Sequence, residues 1–390
     1  GLGMSAGSAN TTGIQNVAVG QGSLAANTTA ANNTAIGREA LNDNTTGAGN
    51  TAVGRGALAA NTTAANNTAV GLSALVANTT GTSNVAVGKD ALVTSIDGDG
   101  STAIGFEAFK TLEPADGITY NTAVGYQAGK AQTTALANTL IGAIAGDAIT
   151  TGGSNTVVGA NAFSTSTTGV GSCAVGVEAM MLTTTGADNV ANGYQALRAN
   201  TTGSSNVAIG RLALTANTTA EGNVAVGKGS LSTNILGSKS VAIGMEALAT
   251  QNPASAVAMY NVAVGHDAGY AITTGIHNTL IGGLAGDAIT TGSYNVGVGV
   301  SSLGTNTTGT QNAAFGRNSL NANTTGANNV AIGNETLLSN TTASNNTAVG
   351  FQALDANTTG ADNTAVGKAV LQANTTGADN VAMGSNAMFS

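Results

Sequence analysis

Side chains able to do acid–base, nucleophilic or metal chemistry are scarce in this chain of 390 residues. There are two histidines, His266 and His277, and one cysteine, Cys173. His266 follows a glycine that recurs at fixed spacing, so it belongs to an exposed ridge; His277 falls in the turn before Asn278. The two are expected on different faces of adjacent structural repeats, which rules out a shared site. Cys173 takes a strand position that nearly every other coil fills with Val or Thr and reads as a small buried filler. No Ser/His/Asp or Cys/His arrangement assembles from these residues. The stretch Asp97-Gly98-Asp99-Gly100 resembles a calcium loop. It lacks the later acidic ligands of an EF-hand and the Gly-Gly-rich nonapeptides of calcium-binding β-rolls. Asp147 and Asp287 lie in Gly-Asp-Ala turns without identifiable partners. No phosphate-loop lysine follows the glycines. The expectation is therefore no catalysis, no metal and no cofactor.

The elements that would position any such residues are set by a repeat, N-[TV]-A-[VI]-G-x-x-A-L-x-x-N-T-T-[GA]-x-x. Its marker glycine occurs 23 times, from Gly3 to Gly384, and 20 of the 22 gaps have one and the same length, that from Gly37 to Gly54. The other two gaps, Gly105 to Gly125 and Gly244 to Gly265, are longer by three and by four positions. Seventeen residues are too few for two helices and a turn, but suit one coil of a β-solenoid. Period-2 alternation makes N-[TV]-A-[VI]-G a strand. The residue before the glycine is apolar in 22 of 23 coils, with Asn192 the exception, and is assigned with the preceding Thr/Val to the interior. Ala and Gly then form a flat outer face that another backbone can approach. Leu stands four residues after the glycine in 14 coils and is expected to pack on the Val/Ile column. Asn opens both the strand and the NTT turn; it suits left-handed corners and, once stacked, hydrogen-bonded ladders. Charge gathers in the two positions after the glycine, as at Arg38-Glu39 and Lys89-Asp90, and reads as one exposed ridge.

The two long gaps repeat each other. Residues 111–120 (TLEPADGITY) and 250–260 (TQNPASAVAMY) hold the only prolines, Pro114 and Pro253, and end in Tyr120 and Tyr260. Each is followed by two coils with Gly in place of Leu: Gly129 and Gly146, then Gly269 and Gly286. A super-period of about 140 residues results, in an array expected to run unbroken over residues 1–390 with no capping coils, as a window from a longer array. Pro114, Tyr120, Pro253 and Tyr260 mark the loops best placed to leave the surface and touch a partner.

Composition narrows the function classes. Charged residues are 8%, against about 25% in an ordinary domain. The net charge is −8 with no basic patch, which argues against nucleic acid. No apolar run reaches the roughly 20 residues of a membrane span. NTT is a formal N-glycosylation acceptor, though here it recurs with the repeat.

The unit resembles the head repeats of trimeric autotransporter adhesins, with their [SN]-x-A-[IV]-G strand, and the N-T-A-[IV]-G…N-T-T-G segments of phage tail fibres and bacterial surface proteins. The resemblance spans essentially the whole chain, although the adhesin heads use a shorter coil. It implies an all-β, left-handed parallel β-roll with three chains side by side, outside the cell, on a cell surface or on a virion. The expected function is a structural segment of an attachment fibre, on the order of 110 Å long at one coil per strand spacing. Its implied partners are two further copies and a host-surface glycan or protein receptor. Two alternatives remain: a self-assembling extracellular filament or sheath subunit, and an ice-binding solenoid. The adjacent threonines of NTT weaken the latter, because in extended backbone they point to opposite sides.

Overall fold

The computed structural model describes residues 1–113 and 117–388. The described residues are all-β, without helix, and form two compact units, Gly1–Ala191 and Asn192–Ser390. Each unit is a parallel β-solenoid in which one repeat of the sequence makes one coil. The first holds ten three-residue strands, from Val17–Val19 to Cys173–Val175; the second holds eleven, from Val207–Ile209 to Val381–Met383. Every three-residue strand ends just before the marker Gly of its repeat and follows its Asn, or in three coils Ser101, Ser172 and Ser240. Pairing follows the repeat, with Val17 opposite Thr34 and Thr34 opposite Thr51. It survives the long gaps: Thr102 lies opposite Thr122, and Val241 opposite Val262. The extra residues are therefore accommodated outside the ladder. The second insertion adds a small ladder of its own, Gly237–Ser238 with Val257–Ala258.

The marker glycine ends each strand for two reasons. Gly37 has φ 135°, which side-chain-bearing residues avoid. A Cβ there would lie 2.5 Å from the carbonyl oxygen of Gly54 in the next coil. The other corners use glycine only in some coils, as at Gly49, Gly56 and Gly129. Three further residues per coil are left-handed, and most carry side chains, as at Asn32 (φ 59°), Glu39 (φ 60°) and Leu41 (φ 49°). Each costs roughly 1–2 kcal/mol, which the packing must offset. The asparagine of the NTT turn is not among them, so its role is hydrogen bonding and not conformation.

The interior lies on the opposite side of the strand from the one assigned by sequence. Strand alanines such as Ala52, Ala69 and Ala208 are fully buried, while the flanking Thr/Val and Val/Ile residues are half-buried or exposed. Ile209 keeps 39% of its surface exposed. The core is instead Ala52 on the strand with Ala57 and Leu58 from the following corner. The left-handed Leu swings its side chain inward, and the space facing it on the strand then admits little more than a methyl group. Alternation fixes that two faces exist; it does not say which is inside.

The glycine coils prove the point by exchange. Where Gly146 replaces Leu, the strand alanine becomes Leu140, and a Cβ on Gly146 would lie 3.0 Å from Leu140 Cδ2; the preceding coil keeps Ala123, but a Cβ on Gly129 would lie 2.8 Å from Leu140 Cδ1 of the next coil. Ile149, at the NTT asparagine position, closes the same space and is fully buried. The second unit repeats this with Gly286, Leu280 and Ile289. Core volume moves from the corner to the strand, and packing density is kept.

Two buried asparagine ladders tie coil to coil. Asn33 Oδ1 accepts the backbone N–H of Asn50 at 2.9 Å, while Asn33 Nδ2 donates to the Gly47 carbonyl at 2.9 Å. In the NTT turns, Asn44 Nδ2 donates to Asn27 Oδ1 at 2.9 Å and to the Gly47 carbonyl at 3.0 Å. Buried amides require such partners.

Ala208→Asp should place an unpaired charge in the core and cost several kcal/mol, whereas Ile209→Asp should leave the fold of the isolated chain standing. Urea unfolding followed by circular dichroism separates the two. Leu140→Ala should cost about 2–5 kcal/mol by the same measurement, because no corner leucine is present to refill the cavity.

Candidate contact surfaces

Of the four residues expected on projecting loops, Pro114 lies outside the described residues. Pro253 is buried, so the exposed part of its loop is residues 254–257. Tyr120 and Tyr260 are both exposed and left-handed, each immediately before the Asn that opens the next strand. Tyr120 belongs to the first unit and Tyr260 to the second.

Tyr260 belongs to a feature that the sequence reading missed. The position before the strand asparagine holds small or polar residues in most coils, but Lys239, Tyr260, His277 and Tyr294 follow one another there. The three rings stack, with centroids 5.2 Å apart for Tyr260–His277 and 5.0 Å for His277–Tyr294. Lys239 Nζ caps the stack 5.7 Å from the Tyr260 ring. Reading the sequence as columns, one repeat below another, would have exposed the run. His277 is therefore an element of an aromatic ladder, and His266 contacts Asp267 at 3.0 Å; the two histidines share no site.

On the other side of the strand, the first position after the marker glycine forms a second column of cations and rings. Lys89 lies 5.5 Å from the Phe106 ring, which stacks on Tyr126 at 5.3 Å. Arg211 lies 5.9 Å from the Tyr194 ring in the second unit. The second position leans inward, which splits the expected ridge into an exposed column and a half-buried one. Glu107 is its most enclosed member, and its carboxylate receives Lys110 at 2.7 Å, Gln127 at 2.7 Å and Lys130 at 3.0 Å. Those bonds, Lys110 first, then Gln127 and Lys130, lower its pKa to about 2.

The remaining residues singled out for chemistry stand apart. Cys173 is half-buried in the outward Thr/Val column, not in the core, a consequence of the reversed strand face. Asp99 Oδ1 is occupied by the backbone N–H and the hydroxyl of Thr82. Burial pushes the Asp147 and Asp287 carboxyls above the ordinary carboxylate range. Among the described residues no group of three or more His, Cys, Asp or Glu side chains is placed to hold a metal ion. The inner NTT asparagines are closed to modification in the folded coil: Asn44 and Asn61 are fully buried with their amides engaged, whereas Asn10 in the first turn is exposed. The first Thr of the turn bonds along the stack, Thr45 Oγ1 to the Thr62 carbonyl at 3.0 Å, and the second, Thr46, is exposed.

No protein-family model matches the chain, and no curated protein is significantly similar to it.

Glu107 gives a pH signature. Its depressed pKa means that its stabilising contribution is present above about pH 4.5 and is lost as pH falls toward about 2. Glu107→Gln should therefore lower the melting temperature at pH 7, and the difference from wild type should shrink steadily between pH 4.5 and pH 2.

Proposed function

We propose that this chain is a structural segment of an extracellular or virion attachment fibre, assembled from three copies, with no catalysis of its own. The observation that carries the reading is the outward strand face. In each unit it repeats Thr/Val and Val/Ile at one pair per coil, and leaves a line of apolar side chains about half exposed: Ile243, Ile281 and Ile332 keep 40–42% of their surface. Neighbouring coils are spaced about 4.8 Å apart. A surface so regular suits packing against an identical surface, and such a continuous apolar line is unusual on a chain that stays alone. Chain contacts therefore belong on this face, and not on the Ala/Gly side expected from sequence, which is the interior of each coil. Stability that accumulates coil by coil suits a mechanical element. Repeated weak contacts along it would give avidity for a surface receptor, a glycan or a protein.

Light scattering after size exclusion tests the assembly. The reading expects a mass about three times the 37.4 kDa of one chain. Ile243→Asp combined with Ile281→Asp should convert it to a folded monomer with unchanged circular dichroism. A monomeric wild type, or a double variant that remains trimeric, contradicts this use of the face.

A second reading, ice binding, is favoured by the same face seen differently. In the first unit the outward strand residues are largely Thr-x-Val or Thr-x-Ile, as at Thr51/Val53, Thr68/Val70 and Thr139/Ile141, in a flat ladder with one pair per coil. That arrangement removes the objection drawn from the NTT turns. Thermal hysteresis of the soluble chain, absent from an albumin control, would establish it; its absence leaves the fibre reading alone.

A further inference from the structure

We propose that a notch in the second unit binds a single neutral pyranose ring; this rests on the attachment-fibre reading and names a ligand class for it. The notch arises from a break in one column. The second residue after each marker glycine is left-handed, and at Leu212 and Glu246 it carries a side chain. Between them stands Gly229, which leaves the column empty for one coil. The resulting space is about 300 Å³, with Gly229 and Ala249 in its lining and Leu212 and Tyr270 beside them. That volume is at the low end for small-molecule sites, the scale of one sugar ring and not of a peptide.

The equivalent place in the first unit is filled. One super-period earlier, Asp90 stands for Gly229, Lys110 for Ala249 and Lys130 for Tyr270. There both lysines close on Glu107, at 2.7 Å and 3.0 Å. In the second unit those three changes remove the filling side chain, release Glu246 and add an aromatic ring. Lys228 and Glu246 line the notch, and neither side chain has an ion pair or hydrogen bond among the described residues. In several other coils the same positions are paired, as Arg38 is with Glu39 at 2.9 Å and Arg317 with Glu335 at 2.6 Å.

The chemistry selects the ligand. A pyranose has an apolar C–H face and a rim of hydroxyls that both donate and accept. Tyr270, 40% exposed, offers a ring to the C–H face. Lys228 only donates and Glu246 only accepts, which matches neighbouring hydroxyls. Their opposite charges balance, so the notch favours a neutral ring over a phosphate or a carboxylate. The corner is also held before any ligand arrives. Thr233 Oγ1 donates to the Ala249 carbonyl at 2.8 Å, and Thr250 Oγ1 to the Tyr270 carbonyl at 2.7 Å. Such preorganisation lowers the cost of binding.

The test is saturation-transfer NMR on the full chain with methyl glycosides of glucose, galactose, mannose and N-acetylglucosamine. Transfer to the ring protons of at least one glycoside is expected, with loss of that signal in Gly229→Gln and in Tyr270→Lys. Gly229→Gln fills the notch without backbone strain beyond what the fold already holds, because Gln127 (φ 54°) and Gln352 (φ 54°) occupy the same coil position. Circular dichroism should show both variants folded. No transfer to any glycoside, or transfer that survives Gly229→Gln, overturns the proposal. A trimeric wild type that gives no glycoside signal overturns the notch alone; a monomeric wild type overturns the trimeric-fibre reading, whatever the sugars do.

Discussion

The close approach of one marker glycine to the next is the constraint from which the rest of each unit follows. The carbonyl of Gly54 occupies the place where a side chain on Gly37 would begin. Coils can therefore stack at strand spacing only if every coil presents glycine at the same point. That requirement fixes the register of the repeat, and the register brings every other column into line. Strand alanines meet strand alanines, asparagine amides meet asparagine carbonyls, and ring meets ring. An extra residue inside the ladder would shift all of these at once. The two insertions are placed where they do not: Thr102 still faces Thr122 and Val241 still faces Val262.

Much of this was legible in the sequence, because a fixed period is a statement about neighbours in space. Solenoid, strand position, asparagine ladders and the location of both insertions all follow from spacing alone. The identity of the buried face did not. Thr, Val and Ile favour extended backbone on either side of a sheet, so their presence does not mark an interior. What decides the face is the left-handed corner at Leu41 and its equivalents, which turns a leucine inward and leaves room opposite for alanine only. Leucine is a poor sequence signal for that conformation. The exchange of Leu for Gly at Gly146 was visible, but its reason appears only when Leu140 is seen in the vacated space. The Tyr260–His277–Tyr294 stack and the Gly229 notch were hidden differently: each depends on residues one coil apart, which are far apart in a linear reading.

The proposed contacts divide between the regular face and the departures from the repeat. The regular face, Thr/Val beside Val/Ile, suits partners that share its period, whether two further copies or a lattice. The irregular places suit partners that do not. They gather beside the second insertion, where Lys239 to Tyr294 form the aromatic ladder and Lys228, Glu246 and Tyr270 surround the notch. The charge network around Glu107 occupies the matching place in the first unit and spends its polar groups internally. Two versions of one architectural address are thus used in opposite ways, one closed for stability and one left open.

The stacking constraint itself can be tested with a pair of substitutions in one coil. Gly54 is a marker glycine at φ 141°, with the backbone of Gly71 against its missing side chain. Gly56 also has positive φ, at 67°, but a Cβ there meets nothing nearer than Val76 Cγ2 at 4.0 Å. Urea unfolding of Gly54→Ala and Gly56→Asn is the most direct measurement. Strained backbone alone costs about 1–3 kcal/mol, so Gly54→Ala, which adds the collision with the next coil, should lose more than about 3 kcal/mol. Gly56→Asn should stay close to wild type. Equal stability of the two variants would contradict the account, since the coils would not then depend on glycine meeting glycine.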